Sequence, residues 1–420
     1  MTDQPETPEV ESVLLDKPRL PVKLVETTES LREFLTSLNE SHSPIALDAE
    51  RASGFRYGQR AYLLQIAVKN DCIFLIDPVA DYEETVWQEF LHSVSSKPWI
   101  IHAASQDLPC LTEMNLKPTQ ILDTELAARL IGLPRVALGT LTEHYLKLKL
   151  AKEHSAVDWS ERPLPENWLN YAALDVDVLF ELWEEIQKDL DVNKKTSIAE
   201  AEFTFLLTPT TKLPKIDKWR SMTGLHEVKD ERALTIAKYL WEAREVLAID
   251  KDIAPGRLVP DASLVAAVKA APKSRSELAS LKTFAGRASR TFIDTWWKAI
   301  EDGSHTKSLV ELRPKPTGIP NHRNWLQKFP EAHARLIASK ELIAKISEEQ
   351  KIPQENILNP DTLRQICFEP PVPLNAETLT TALASRLVRE WQIDLVLDGL
   401  LIALESKPKE EKPEELDSPS

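Results

Sequence analysis

Ile45-Ala46-Leu47-Asp48-Ala49-Glu50 decides how this 420-residue chain reads. The apolar Ile45-Ala46-Leu47 run predicts a buried β-strand. Side chains alternate along a strand, so Asp48 and Glu50 leave it on the same face. Two carboxylates side by side at the end of a buried strand repel each other and lose solvation, a cost that a cation between them removes. An isolated Asp-x-Glu is weakly specific, since one acid can cap a turn while the other is merely solvated. Further acids elsewhere in the chain are needed to make a metal site.

Two segments supply them. In Ile101-His102-Ala103-Ala104-Ser105-Gln106-Asp107-Leu108 a strand ends and a helix begins, with Ser105 as its expected cap and Asp107 in its first turn. Taken alone, an acid there complements the helix dipole. In Trp168-Leu169-Asn170-Tyr171-Ala172-Ala173-Leu174-Asp175, Pro165 and Glu166 suit a helix start. Tyr171 and Asp175 are four apart and share a helix face. Read alone, Tyr171 would be an amphipathic core residue.

The surrounding pattern is α/β. Leu31, Phe34, Leu35 and Leu38 mark a helix before the Asp48 strand. Ala61–Val68 and Cys72–Ile76 predict a hairpin turning at Lys69-Asn70-Asp71. A helix over 84–94, a strand at Trp99–His102, a strand near Ile121 and a helix over 124–131 follow. This order predicts a mixed sheet whose first three strands are antiparallel and whose later ones are parallel.

Hydrophobic content of 42% and charged content of 28% fit a soluble globular protein of two or three domains. Residues 1–20 and 406–420 are charged and Pro-bearing, and are expected to be disordered tails. The α/β domain is expected over 21–207, a first helical domain over 208–300, a linker over 301–320 and a second helical domain over 321–405. The helical blocks echo each other: Ile253, Leu258, Pro260 and Asp261 recur as Ile352, Leu358, Pro360 and Asp361. Three dispersed cysteines argue against a disulfide framework or a thiolate zinc site. No apolar run approaches the roughly 20 residues of a membrane span, and no signal peptide is evident, so the cytoplasm is the expected compartment.

The net charge of −15 speaks at first against a nucleic-acid partner. Its distribution speaks the other way. Residues 212–300 hold 17 Lys+Arg against 11 Asp+Glu, a basic segment in an acidic chain. An ordinary solvated helical surface accounts for the same bias.

The ordered set Asp48-x-Glu50, His102 to Asp107 and Tyr171-x-x-x-Asp175 resembles the three motifs of the DEDD 3′–5′ exonucleases, in their tyrosine branch. A histidine branch would want His where Asn170 stands. Asp158-Trp159-Ser160-Glu161-Arg162-Pro163-Leu164 with Tyr171-Ala-Ala-Leu-Asp175 is similar to the ribonuclease D signature. Trp241 and Arg244 occupy the positions of the Trp-Arg helix of helicase-and-RNase-D C-terminal (HRDC) domains; the second copy is more degenerate.

The resemblance implies a ribonuclease H-like exonuclease domain followed by two small all-α HRDC-like domains. It implies two divalent cations, Mg²⁺ or Mn²⁺, on Asp48, Glu50, Asp107 and Asp175, with Tyr171 orienting the attacking water. Hard cations prefer such oxygen donors, and a pair of them serves phosphodiester hydrolysis. His102 and Arg162 are implied at the substrate, although His102 could be a core histidine and Arg162 could brace the loop before the catalytic helix. Asp123, Asp158 and Asp177 have simpler structural roles, Asp123 as a helix cap. The implied function is metal-dependent 3′–5′ exoribonuclease action on RNA, releasing nucleoside 5′-monophosphates in tRNA 3′-end processing or RNA turnover. The protein is expected as a monomer whose basic 212–300 segment contacts nucleic acid. A DNA exonuclease, or a non-catalytic nucleic-acid-binding protein on the same scaffold, remain the alternatives.

Overall fold

The computed structural model describes residues 12–151, 157–208, 217–313 and 318–408. Among these residues eight strands are formed: β1 (Val13–Leu15), β2 (Val22–Val25), β3 (Ile45–Arg51), β4 (Ala61–Val68), β5 (Ile73–Ile76), β6 (Pro98–Ile101), β7 (Gln120–Asp123) and β8 (Leu148–Leu150). Six of them make one mixed sheet in the order β2-β5-β4-β3-β6-β7. β3, β4 and β5 are antiparallel, while β6 runs parallel to β3 and β7 parallel to β6, as the element order predicts. The hairpin turn places Asn70 in the left-handed region, a conformation that asparagine tolerates well. β2 was not anticipated. It lies parallel to β5 at the sheet edge, with three of its four residues exposed, so it carries no burial signal.

The eight helices of this domain are α1 (Thr28–Glu40), α2 (Glu84–Ser95), α3 (Leu108–Glu113), α4 (Thr124–Ile131), α5 (Leu138–Leu146), α6 (Glu166–Asp177), α7 (Leu179–Val192) and α8 (Thr196–Leu206). β3 divides its residues by parity. Ile45, Leu47 and Ala49 join the core made with α1 and α2, through Leu31, Phe34, Leu38 and Phe90. Ala46 joins the opposite core, with Ala172, Ala173 and Val176 of α6. Asp48 and Glu50 therefore leave the strand on the α6 side.

The amino-terminal expectation needs correcting. Val13–Leu15 is not part of a disordered tail: it pairs in parallel with β8, and Leu15 is buried with Leu150, Leu174 and Val178. An apolar triplet inside an acidic stretch adds to an exposed strand edge, and Arg19 then bonds Asp177 and Glu181. Residues 1–11 and 409–420 lie outside the described residues. The linker expected from 301 also begins later, because the helix of Ile293–His305 runs through its first five positions. Gly303 is accommodated there by packing against the backbone of Ile236.

The helical region holds α9 (Glu231–Lys251), α10 (Pro255–Leu258), α11 (Asp261–Ala270), α12 (Arg275–Ser280), α13 (Arg287–Thr291) and α14 (Ile293–His305). After it come α15 (Trp325–Lys328), α16 (Pro330–Gln350), α17 (Gln354–Ile357), α18 (Pro360–Phe368), α19 (Ala376–Ala384) and α20 (Glu390–Leu404). The sequence echo is an echo of structure: α9 and α16 each run 21 residues and each leads into a four-residue helix.

Neither helical block hangs free. The end of α9 docks on the loop after β3, with Gly58 N donating to Asp252 Oδ1 (3.0 Å), Ala254 N to Phe55 O (3.0 Å) and Arg257 Nε to Gly54 O (2.6 Å). The second block shares a continuous core with α4, α6, α7 and α8. Polar clamps reinforce it: Glu202 accepts from Arg389 (2.6 and 2.7 Å) and from Trp391 Nε1 (2.8 Å). Lys195 Nζ reaches the carbonyls of Leu130 (2.5 Å) and Lys351 (3.2 Å).

Candidate active site

β3 presents Asp48 and Glu50, and α6 packs across β3, β4 and β5 so that Tyr171 and Asp175 look onto the same ground. Asp48 Oδ1 accepts from the Ala49 amide at 2.8 Å. Gln65, opposite Asp48 on β4, extends Nε2 to Glu50 Oε1 at 3.5 Å. The third segment ends β6, turns through Ala103 at φ 59° and a short 3₁₀ turn over 104–106, and reaches Asp107. Here a detail departs from expectation. Ser105 does not cap the helix; Asp107 itself holds the N-cap position, with no capping bond of its side chain. The intervening 3₁₀ turn moves the helix start beyond Asp107 and leaves its carboxylate, on a residue only 6% exposed, to the cluster.

The left-handed Ala103 is held in place by Asp123. Asp123 caps α4 as expected, accepting from Glu125 N and Leu126 N. The same carboxylate also accepts from Ala103 N (3.1 Å) and Ala104 N (2.9 Å). One buried acid thereby fixes the turn that delivers another. Its capping role was legible in the sequence; its second role depends on the β6–β7 pairing.

The electrostatics reflect four acids in one place. Burial, then the charge of Asp175, raises the pKa of Asp48 to about 7. Burial lifts Asp175 to about 7 as well. Burial together with Asp48 does the same for Asp107. Glu50 rises to about 9, through burial first and then Asp48, Asp175 and Asp107. Burial and the same carboxylates push the Tyr171 phenol above its ordinary value, so it keeps its proton at neutral pH. Among the described residues one cation stands against these acids, Arg51, whose Nη2 lies 3.3 Å from Asp107 Oδ1. Sequence reading passed over Arg51, because strict alternation would send it to the other face of β3.

The two residues expected at the substrate fare differently. His102 Nδ1 lies 2.9 Å from Thr124 Oγ1, and burial lowers its pKa to about 4, so it is neutral. Arg162 is a brace rather than a phosphate ligand. Its Nε and Nη2 bond Asp77 (2.5 and 2.8 Å), Nη1 bonds the carbonyls of Trp159 and Glu161, and Nη2 also bonds that of Tyr62. All five guanidinium donors are thus spent on the fold. The expectation of a substrate role gives way to its alternative, because Arg162 is the counter-ion of buried Asp77, whose Oδ1 accepts otherwise only from Val79 N (2.8 Å) among the described residues. The other two set-aside acids are structural too: Asp158 accepts from Ser160, and Asp177 from Arg19.

The donor set fits hard divalent cations. It is all carboxylate, with His102 turned to Thr124 and Cys110 a buried thiol whose pKa rises to about 12. Among the described residues no three such donors already close around a single point, as expected of acids that repel one another. The protonated fraction that their raised pKa values imply is what cations would displace.

Comparison with known proteins identifies the exonuclease and helical domains. Residues 22–191 match the family model of 3′–5′ exonucleases, 233–300 that of the HRDC domain, and 318–404 that of a 3′ to 5′ exonuclease C-terminal domain. A ribonuclease D of Bartonella henselae is 26% identical over 361 residues, covering 84% of this chain and 86% of its own. A solved structure of a protein from Bifidobacterium adolescentis superposes with a TM-score of 0.83 at 33% identity, over 94% of this chain and all of that one. The fold also matches Escherichia coli RNase D, with a TM-score of 0.65 at 22% identity, over 93% of this chain and all of that one.

Proposed function

The chain belongs to the ribonuclease D family of 3′–5′ exonucleases, with an HRDC domain, and on that premise we propose how its own residues perform and direct the reaction. It is a 3′–5′ exoribonuclease of a family that depends on divalent metal. The finer reading is that it trims 3′ ends of RNA, tRNA precursors among them, one nucleoside 5′-monophosphate at a time. It works as a cytoplasmic monomer, with Mg²⁺ or Mn²⁺.

The observation that carries this reading is the meeting of Asp48, Glu50, Asp107, Asp175 and Tyr171 from three separate segments, close enough for the charges of the acids to raise one another's pKa. Asp48, Glu50, Asp107 and Asp175 would hold two cations, which supply charge relief at the attacking and leaving oxygens and favour ionisation of water. Tyr171, protonated and fixed on α6, orients the attacking water through its hydroxyl rather than serving as a bulk base. His102, neutral and anchored on Thr124, offers an uncharged edge to the 3′-terminal nucleotide. Ala172 and Ala173 of α6, fully buried in the core shared with Ala46 of β3, fix that helix on the sheet.

The 21–207 exonuclease domain performs the chemistry, and the basic helical segment of 212–300 guides RNA to it. A 3′-labelled precursor tRNA and a DNA strand of matched sequence, each incubated with Mn²⁺, test the proposal. Labelled 5′-monophosphate from the RNA and much slower release from the DNA are expected. Equal rates would favour the DNA exonuclease, and oligonucleotide products would overturn stepwise release.

A further inference from the structure

Arg51 follows directly on Glu50, and regular alternation would place it on the opposite face from Asp48 and Glu50. The ladder slips at this point. Glu50 lies opposite Leu63 and Arg51 opposite Ala61, so Tyr62 has no partner on β3. Such bulges are common beside functional sites; the extra residue here belongs to β4, so Arg51 stays opposite Ala61 of the α1/α2 core, on the face away from Asp48 and Glu50. This one is held from both sides: Arg162 Nη2 bonds the Tyr62 carbonyl at 2.8 Å, and the Tyr62 hydroxyl reaches Asp252 Oδ2 at 3.4 Å. From that face of β3 the guanidinium reaches the acid cluster through Asp107, and it lowers the pKa of Asp48, Glu50 and Asp107 against the effect of burial.

The hold on that guanidinium is slight. Among the described residues it makes one ion pair, at 3.3 Å, and no hydrogen bond, and its side chain is 28% exposed. Arg162 spends every donor on the fold, and Arg389 grips Glu202 with two short bonds. Arg51 therefore keeps a planar fork of donors unspent at the place where a phosphodiester must enter, a shape matched to phosphate oxygens.

We propose that Arg51 is a substrate-phosphate residue which the metal-free site holds in reserve on Asp107. Resting on the reading that Asp107 accepts a cation, the proposal makes Arg51 and that cation competitors for one carboxylate. Cation loading releases the guanidinium, which then grips a non-bridging oxygen of the terminal phosphodiester. RNA and metal binding become mutually reinforcing, because each removes an obstacle to the other.

The test uses the full chain, with Arg51→Gln and Arg51→Lys. Mn²⁺ binding is measured by calorimetry without nucleic acid, and binding of a short single-stranded RNA with a non-hydrolysable terminal linkage is measured with Mn²⁺ present. Arg51→Gln should bind Mn²⁺ several-fold more tightly and the RNA about 10- to 100-fold more weakly, the usual scale for one lost charge-assisted hydrogen-bonding group. Arg51→Lys should keep near-wild-type Mn²⁺ affinity while recovering only part of the RNA affinity, because it restores the charge without the fork. Unchanged RNA affinity in Arg51→Gln, or loss of its Mn²⁺ binding, would overturn the role given to Arg51 alone. Absence of Mn²⁺ binding by the wild-type chain would instead overturn the metal-site reading, and this proposal with it.

Discussion

Arg162 and Asp77 form a two-pronged pair, with Nε 2.5 Å from Oδ2 and Nη2 2.8 Å from Oδ1, that ties the segment before α6 to the end of β5. The tyrosine-bearing helix is thus aligned on the sheet by a residue that does not touch the acids. Arg162→Ala leaves Asp77, itself 6% exposed, without its counter-ion. A stability loss of about 2–4 kcal/mol is expected, somewhat below a fully buried broken pair because Arg162 is partly exposed. Urea denaturation measures it. A stable variant with selectively raised KM for RNA would restore Arg162 to the substrate.

Tyr171 is predicted to act through its hydroxyl. Tyr171→Phe keeps the ring and loses the oxygen, so kcat should fall about 100-fold with KM little changed. In the metal-free chain burial and the neighbouring carboxylates hold the phenol's pKa above its ordinary value of about 10, so a spectrophotometric titration without metal should show no Tyr171 ionisation there. Raised KM at constant kcat would mark Tyr171 as a stacking residue.

Metal binding should release protons at neutral pH. Asp48, Asp107 and Asp175 titrate near 7 and Glu50 near 9 in the metal-free chain, all above their unfolded values. The folded state therefore holds protons that the unfolded chain has shed, so this cluster's stability contribution is complete below about pH 4. It is lost as pH rises through about 7 to 9. Cations compete with those protons, so Mg²⁺ affinity should climb from pH 6 to pH 9. Calorimetry in buffers of different ionisation enthalpy gives the proton count, and a count of zero at pH 7 would contradict the shifts.

The basic segment can be tested at Lys282, Arg287 and Arg290, all exposed near its end. Lys212 and Lys215 lie outside the described residues. If each of the three meets a phosphate, their joint replacement by Gln should flatten the plot of log K against log salt. The slope should fall by about 0.7 to 0.9 per contact on folded tRNA. An unchanged slope would leave the segment a structural module.

Truncation is a poorer tool than the sequence implies. A chain ending near Thr208 would expose the core that α7 and α8 share with α16 and α20, and would strand Glu202 without Arg389 and Trp391. Loss of cooperative unfolding is expected for it, whatever the module's part in RNA binding.

Much of the site was legible because its signals are local. Strand parity set Asp48 beside Glu50, and the four-residue offset set Tyr171 above Asp175. What escaped depends on partners remote in sequence. β1 finds β8 across more than a hundred residues, and β2 shows no buried face to betray it. Arg51 meets Asp107, which comes from a segment more than fifty residues away, and Arg162 is claimed by Asp77 just beyond the end of β5. The docking of the helical blocks rests on single side chains such as Asp252 and Lys195, whose roles exist only in the assembled fold.

The central claim is that these four acids make one metal-dependent exonuclease centre. Its most direct measurement is release of labelled nucleotide from the RNA 3′ end under saturating Mn²⁺ by the wild type, Asp48→Asn and Asp175→Asn, each checked for an intact fold. The account predicts stepwise release by the wild type, its abolition by chelation, and a loss of at least about 1,000-fold in either variant. Hydrolysis at the wild-type rate by a folded Asp48→Asn or Asp175→Asn protein would contradict it.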